Sequence, residues 1–146
     1  MEKFLDMVII DARDLPEAWF LCIKHLFEHG YEYKIDRGSY IGQKRIEFDF
    51  VAVRVRYPGR KPLIPDVPQG VPSPSSMQYV EDYLPYLMTA HKEKGEQYTY
   101  GQYLEPQIPK VIAMYREGGF ETNQAFMAVG DKESIHLPDP PCLRGI

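Results

Sequence analysis

The sequence predicts a mixed α+β domain. Three observations carry that expectation. Apolar residues recur at helical spacing in three stretches, each bounded by proline or glycine. A two-residue alternation runs through residues 45–57 and again through 122–129. No internal repeat or low-complexity tract interrupts these patterns. Helices and strands mixed along the chain in this way belong to the α+β class.

The elements follow in order. Residues 7–10 form a short apolar strand candidate. Asp14 then reads as a helix N-cap, because its carboxylate can accept from the orphan amides of a first turn. Pro16 fits that turn, where its missing N–H is no loss. Trp19, Phe20, Ile23, Leu26 and Phe27 make an apolar stripe, and Gly30 stops the helix. Cys22 sits inside that pattern and reads as core. His25 and His29 stand four apart, with Cys22 three residues earlier, a spacing that permits a metal site. An exposed helix face explains both histidines without a further ligand, so no metal is expected.

Residues 45–57 read as one long strand. Ile46, Phe48 and Phe50 alternate with Glu47 and Asp49; Val51, Val53, Val55 and Tyr57 then alternate with Arg54 and Arg56. The apolar phase switches between Phe50 and Val51. A β-bulge or a passage between two packing environments produces such a switch. Residues 58–74 are a proline-rich ordered loop. Ser75-x-x-Gln78 resembles a capping box. The helix behind it carries Val80, Leu84, Leu87 and Met88, with a kink expected at Pro85. After a polar patch over 92–97 comes Tyr98-Thr99-Tyr100-Gly101. Ile108-Pro109 opens a further helix through Val111, Ile112 and Tyr115, closed by Gly118-Gly119. Ala125, Met127 and Val129 alternate in a strand over 122–129.

Composition narrows the function classes. A chain of 146 residues fits one domain able to bury a core. The net charge of −4 offers no basic footprint for nucleic acid. No apolar run is long enough to span a bilayer. The start, Met1-Glu2-Lys3, lacks a secretory n-region. Cys22 and Cys142 could pair in one disulfide, but two cysteines without a leader point to free thiols in a reducing cytoplasm.

The end of the chain carries the strongest chemical signal: Leu137-Pro138-Asp139-Pro140-Pro141-Cys142-Leu143-Arg144-Gly145-Ile146. Each proline fixes its own φ and restrains the residue before it, so Cys142 is presented from a stiff segment. A permanent cation two residues on favours the thiolate, the nucleophilic form. A small buried hydrophobe is the ordinary alternative for a cysteine.

Several blocks together resemble the thymidylate synthase family, in a divergent branch of the archaeal type. These are Asp36-Arg37-Gly38, a long strand, a helix with an acid, Tyr100-Gly101-Gln102, then a helix, a strand and Pro141-Cys142. Each block alone is weak; their order is more specific and covers most of the chain. The resemblance implies a thymidylate synthase-like fold, a mixed sheet with helices packed on it. It also implies that residues 1–146 are the N-terminal portion of a catalytic domain that ends after the nucleophile and is incomplete in isolation.

The implied activity is reductive methylation of dUMP to dTMP, with methylene-tetrahydrofolate or a related methylene pterin as co-substrate and no metal. Cys142 matches the nucleophile that adds to C6 of the uracil ring. Arg37 matches a phosphate-gripping arginine. Tyr100 matches the tyrosine near the site of C5 proton loss, and Glu81, next to Asp82, matches the helix glutamate that organises water. The family's cross-subunit arginine pair falls here at Asn123-Gln124, and Leu143 replaces a histidine. The family is homodimeric; without that pair the complete protein is expected to depend less on dimerisation, even to act as a monomer. A pyrimidine nucleotide hydroxymethylase and a non-catalytic binding module that kept the fold are the competing expectations.

Overall fold

The computed structural model describes residues 7–146. The chain divides into two compact units, Met1–Met77 and Gln78–Ile146. The class is mixed α+β, with helices and two small sheets rather than one mixed sheet.

In the first unit, β1 (Met7–Ala12) alternates strictly. Val8, Ile10 and Ala12 are buried, while Met7 and Ile9 face outward. It pairs in parallel with β4 (Phe50–Val55), from Met7 opposite Phe50 to Ala12 opposite Val55. Helix α1 (Leu15–His29) covers the pair. Asp14 caps it as the sequence implies, its carboxylate accepting from the Glu17 amide at 3.1 Å. Gly30 ends it, its amide donating to Leu26 O at 2.8 Å. Ala18 is buried on the sheet, with Leu21, Cys22, Phe48, Val51 and Val55 packed around the cluster.

The face of α1 that packs differs from the expected stripe. Phe20, Ile23 and Phe27 are exposed, Phe27 by 75%. Close approach of helix to sheet needs small residues at the contact, and Ala18 and Cys22 supply them. The large rings of the stripe are left outside. Cys22 does read as core: it is half-buried, and burial pushes its thiol pKa up.

Residues 45–57 are not one strand. They split into β3 (Lys44–Glu47) and β4, broken at Phe48-Asp49. β3 pairs antiparallel with β2 (Tyr31–Lys34) in a separate sheet. The change of partner falls at Phe48-Asp49; the phase switch at Phe50-Val51 lies just inside β4, where both residues already pair with β1. Tyr31 and Tyr33 stack and both donate to Glu47, at 2.8 and 2.7 Å. The bond to Glu47 pushes the Tyr31 phenol up to about 12. On the β1/β4 pair, Asp11 accepts from both Arg54 and Arg56, which holds its carboxyl well below the usual carboxylate range.

The second unit is built on α2 (Met77–Met88), the single turn α3 (Gly101–Leu104), α4 (Ile108–Gly118) and a 3-10 turn at Lys132–His136. The expected capping box on α2 is not formed. The Gln78 side chain donates forward to Asp82 at 2.9 Å, and the Ser75 hydroxyl donates to Ser76 O at 3.4 Å. The helix runs through Pro85, which has no N–H to return to the Glu81 carbonyl. α4 closes on Gly119, whose φ of 77° suits only glycine well. The expected strand over 122–129 is reduced to one bridge, Ala128 with Gly145. Backbone bonds join Met127 to Ile146 and Val129 to Arg144. The alternation is real, with Val129 buried and Phe126 exposed, but too few residues pair to make a ladder.

Among the described residues, no helix is long and apolar enough to cross a membrane.

Candidate functional site

The second unit contains a tyrosine cluster that begins with helical spacing. Tyr79, Tyr83 and Tyr86 recur at i, i+4 and i+7 on α2, so their rings share one face. Tyr79 and Tyr83 stack at 5.8 Å, and Tyr83 and Tyr86 lie 5.1 Å apart. The chain then returns to this face through Tyr98 and Tyr100. Tyr100 meets Tyr86 edge-on at 5.3 Å and Tyr98 at 5.7 Å. Edge-on and offset contacts are the favoured aromatic geometries.

Two small residues hold that return. Thr99 is fully buried; its hydroxyl donates to Thr89 O at 3.0 Å and accepts from the Gln102 amide at 3.1 Å. Gly101 sits so close to Thr89 that an added Cβ would lie 2.0 Å from the Thr89 oxygen. Only glycine permits the approach. The Tyr100-Gly101 pair thus has a structural cause: the glycine docks the segment, and the tyrosine is delivered beside Tyr86.

The rings line a cavity of about 590 Å³. Tyr83, Tyr86, Tyr98 and Tyr100 form its aromatic wall; Asp82, His91, Glu93 and Glu96 contribute polar groups. Burial pushes the Tyr83 and Tyr86 phenols up. Tyr98 is driven well above the ordinary phenol range, by burial first and by a hydrogen bond with Tyr100 second. These hydroxyls stay protonated at neutral pH and can donate.

Cys142 is an exposed, free thiol. Pro141, just before it, is buried, which anchors the stiff segment and leaves the thiol outward. Cys142 is in the same unit as the cavity but is not among the residues that line it. The Arg144 guanidinium rests against the Gly130 turn: a Cβ on that glycine would be 3.2 Å from Arg144 Nη1.

The other expected residues are distributed as follows. Tyr100 is part of the cavity wall. Glu81 is exposed and does not line the cavity; its neighbour Asp82 does, because one residue is about 100° of turn on a helix. Arg37 belongs to the first unit, in the loop joining β2 and β3. Its side chain is 92% exposed, with Asp36 at 3.6 Å. Asn123 and Gln124 are exposed, and the Gln124 amide donates to Thr122 Oγ1 at 3.1 Å. Tyr83, Tyr86 and Tyr98 were missed by the sequence reading. Their signal was present in the tyrosine spacing of α2 and in the Tyr-x-Tyr at 98–100.

Comparison of the chain with protein-family models, curated proteins and solved structures finds no match.

Proposed function

We propose that this protein is a thymidylate synthase-type enzyme with a thymidylate synthase-like fold, acting in the cytoplasm on dUMP. The observation that carries the reading is the position of Cys142. It is an exposed, free thiol on a proline segment anchored by buried Pro141, in the same unit as the tyrosine-lined cavity.

A pyrimidine ring is planar, and stacking a base on an aromatic side chain contributes about 1–3 kcal/mol. The protonated tyrosine hydroxyls can donate to the ring carbonyls. In the proposed reaction the Cys142 thiolate bonds to C6 of uracil. The electron pair of the C5–C6 double bond moves to C5, which becomes the carbon nucleophile. The methylene pterin supplies the one-carbon unit and the hydride. Tyr100 orients water where the C5 proton leaves, and Asp82, rather than Glu81, is the acid beside it. Elimination of Cys142 restores the thiol. Asp82, Glu93 and Glu96 make the cavity acidic and unsuited to phosphate. The resemblance assigns the phosphate to Arg37, whose guanidinium is exposed in the first unit.

Turnover of dUMP to dTMP by the full-length protein tests the reading. Cys142→Ser should abolish it, because a hydroxyl is a far poorer nucleophile at neutral pH. A Cys142→Ser variant that turns over as fast as wild type would overturn the assignment.

A further inference from the structure

We propose that α1 carries a three-ligand site for a divalent transition metal of the zinc class, formed by His25, Glu28 and His29. It lies in the first unit and is independent of the nucleotide chemistry assigned to Cys142.

The helix brings the three side chains together. Positions 28 and 29 are i+3 and i+4 from 25, so each is a neighbour of His25 on the helix surface. The His25 and His29 rings stack at 5.6 Å, inclined by 18°. Glu28 lies between them, with Oε2 at 3.5 Å from His25 Nδ1 and 3.9 Å from His29 Nε2. One ligand atom from each residue falls within 4.8 Å of the others. A tetrahedral ion with bonds of about 2.1 Å holds its ligand atoms about 3.4 Å apart. Both contacts of Glu28 are within half an ångström of that spacing, and no two of the three ligand atoms are more than 4.8 Å apart.

Two further observations point to a ligand here. His25 Nδ1 is buried and has no hydrogen-bond partner. A buried nitrogen in that state calls for a partner, and an ion between it and Glu28 supplies one. A cavity of about 320 Å³ also opens beside both histidines, against Met7, Val8 and Ile9 of β1. It leaves room for a small ligand beside the two imidazole rings. Lys24 approaches the other carboxylate oxygen, Oε1, at 4.0 Å, so Oε2 is not taken.

The sequence spacing permitted a set of Cys22 with the two histidines, although no metal was expected; the residues brought together are a different set. Cys22 packs toward the core, and Glu28 is the carboxylate that the sequence reading did not see. Imidazole nitrogens with one carboxylate favour zinc, cobalt or nickel over magnesium or calcium.

Calorimetric titration of tag-free, metal-stripped protein with Zn²⁺ tests the site, together with the visible spectrum of the Co²⁺ form. One equivalent should bind, and the Co²⁺ form should show tetrahedral bands without thiolate charge transfer. His29→Ala and Glu28→Gln, both at half-exposed positions, should each weaken binding at least about tenfold. Cys22→Ser and Cys142→Ser should bind as wild type does. Circular dichroism checks that each variant is folded. No saturable Zn²⁺ binding by folded wild type would overturn the proposal. So would unchanged binding in the folded His29→Ala and Glu28→Gln variants, or a thiolate band that disappears with either cysteine.

Discussion

Thr99 shows how little is needed to set the cavity. Its hydroxyl satisfies a carbonyl and an amide at once. Thr99→Val keeps the volume and leaves both groups unpaired in a buried place. Chemical denaturation should show a loss of about 1–3 kcal/mol. Gly101→Ala should cost at least as much, about 1–3 kcal/mol or more, because its Cβ meets backbone rather than a flexible side chain. Tyr83, Tyr86 and Tyr98 give the alkaline limb of stability. Their folded phenols are raised above the ordinary value of 10. The unfolded chain then releases protons first, so stability is intact below pH 10 and falls as pH rises above it. Asp11 and Asp14 set the acid limb with the opposite sign. Both carboxyls are held below 3.8, mainly by bonds from Arg56 and from Arg13. Their contribution is present above that value and lost as pH falls below it. A stability profile from denaturant midpoints across pH checks both limbs.

Among the elements, β1, α1 and α4 were legible because each has a local cause. Asp14 caps α1, Gly119 closes α4, and residues 7–10 of β1 are a run of apolar residues, although that run did not show that Met7 and Ile9 would face outward. Residues 45–57 were legible only in part. Alternation states which side chains share a face but not which strand pairs with them, so the switch at Phe50-Val51 could not reveal two sheets. The α1 stripe misled for a related reason: helical spacing groups Phe20, Ile23 and Phe27 without saying whether that group or Ala18, Leu21 and Cys22 meets the sheet. Two substitutions separate the faces. Ile10→Ala, at the most enclosed large side chain of β1, should cost about 2–5 kcal/mol. Phe27→Ser, on the outer face, should change stability by less than about 0.5 kcal/mol. Thermal unfolding of the pair measures both. In the site, Glu81 and Asp82 could not be told apart from spacing alone. Tyrosine is equally at home in a core, at a surface or around a cavity, so the ring cluster stayed hidden until the return of Tyr98 and Tyr100 was seen.

At the scale of the molecule, each unit exposes large apolar side chains. The first shows Met7, Ile9, Phe20 and Phe27; the second shows Phe120, Phe126 and Ile135. Surfaces of this kind favour association. In sedimentation across a concentration series, the 146-residue chain should gain average mass with concentration; a strictly monomeric chain would contradict this. The proposed activity makes a second demand on the whole protein, a cation for the nucleotide phosphate. Arg37→Ala should weaken dUMP binding by a few kcal/mol, about one or two charge-assisted hydrogen bonds. Deoxyuridine binding should change little, and an equal loss for both ligands would remove Arg37 from that role.

The most direct test of the account is covalent capture at Cys142. The full-length protein is incubated with 5-fluoro-dUMP and a methylene pterin, digested, and read by mass spectrometry. Fluorine at C5 cannot leave as a proton does, so the adduct should persist. The expected result is a nucleotide–pterin mass on the peptide containing Cys142, absent from Cys142→Ser. An unmodified Cys142, or an adduct that survives in Cys142→Ser, would contradict it.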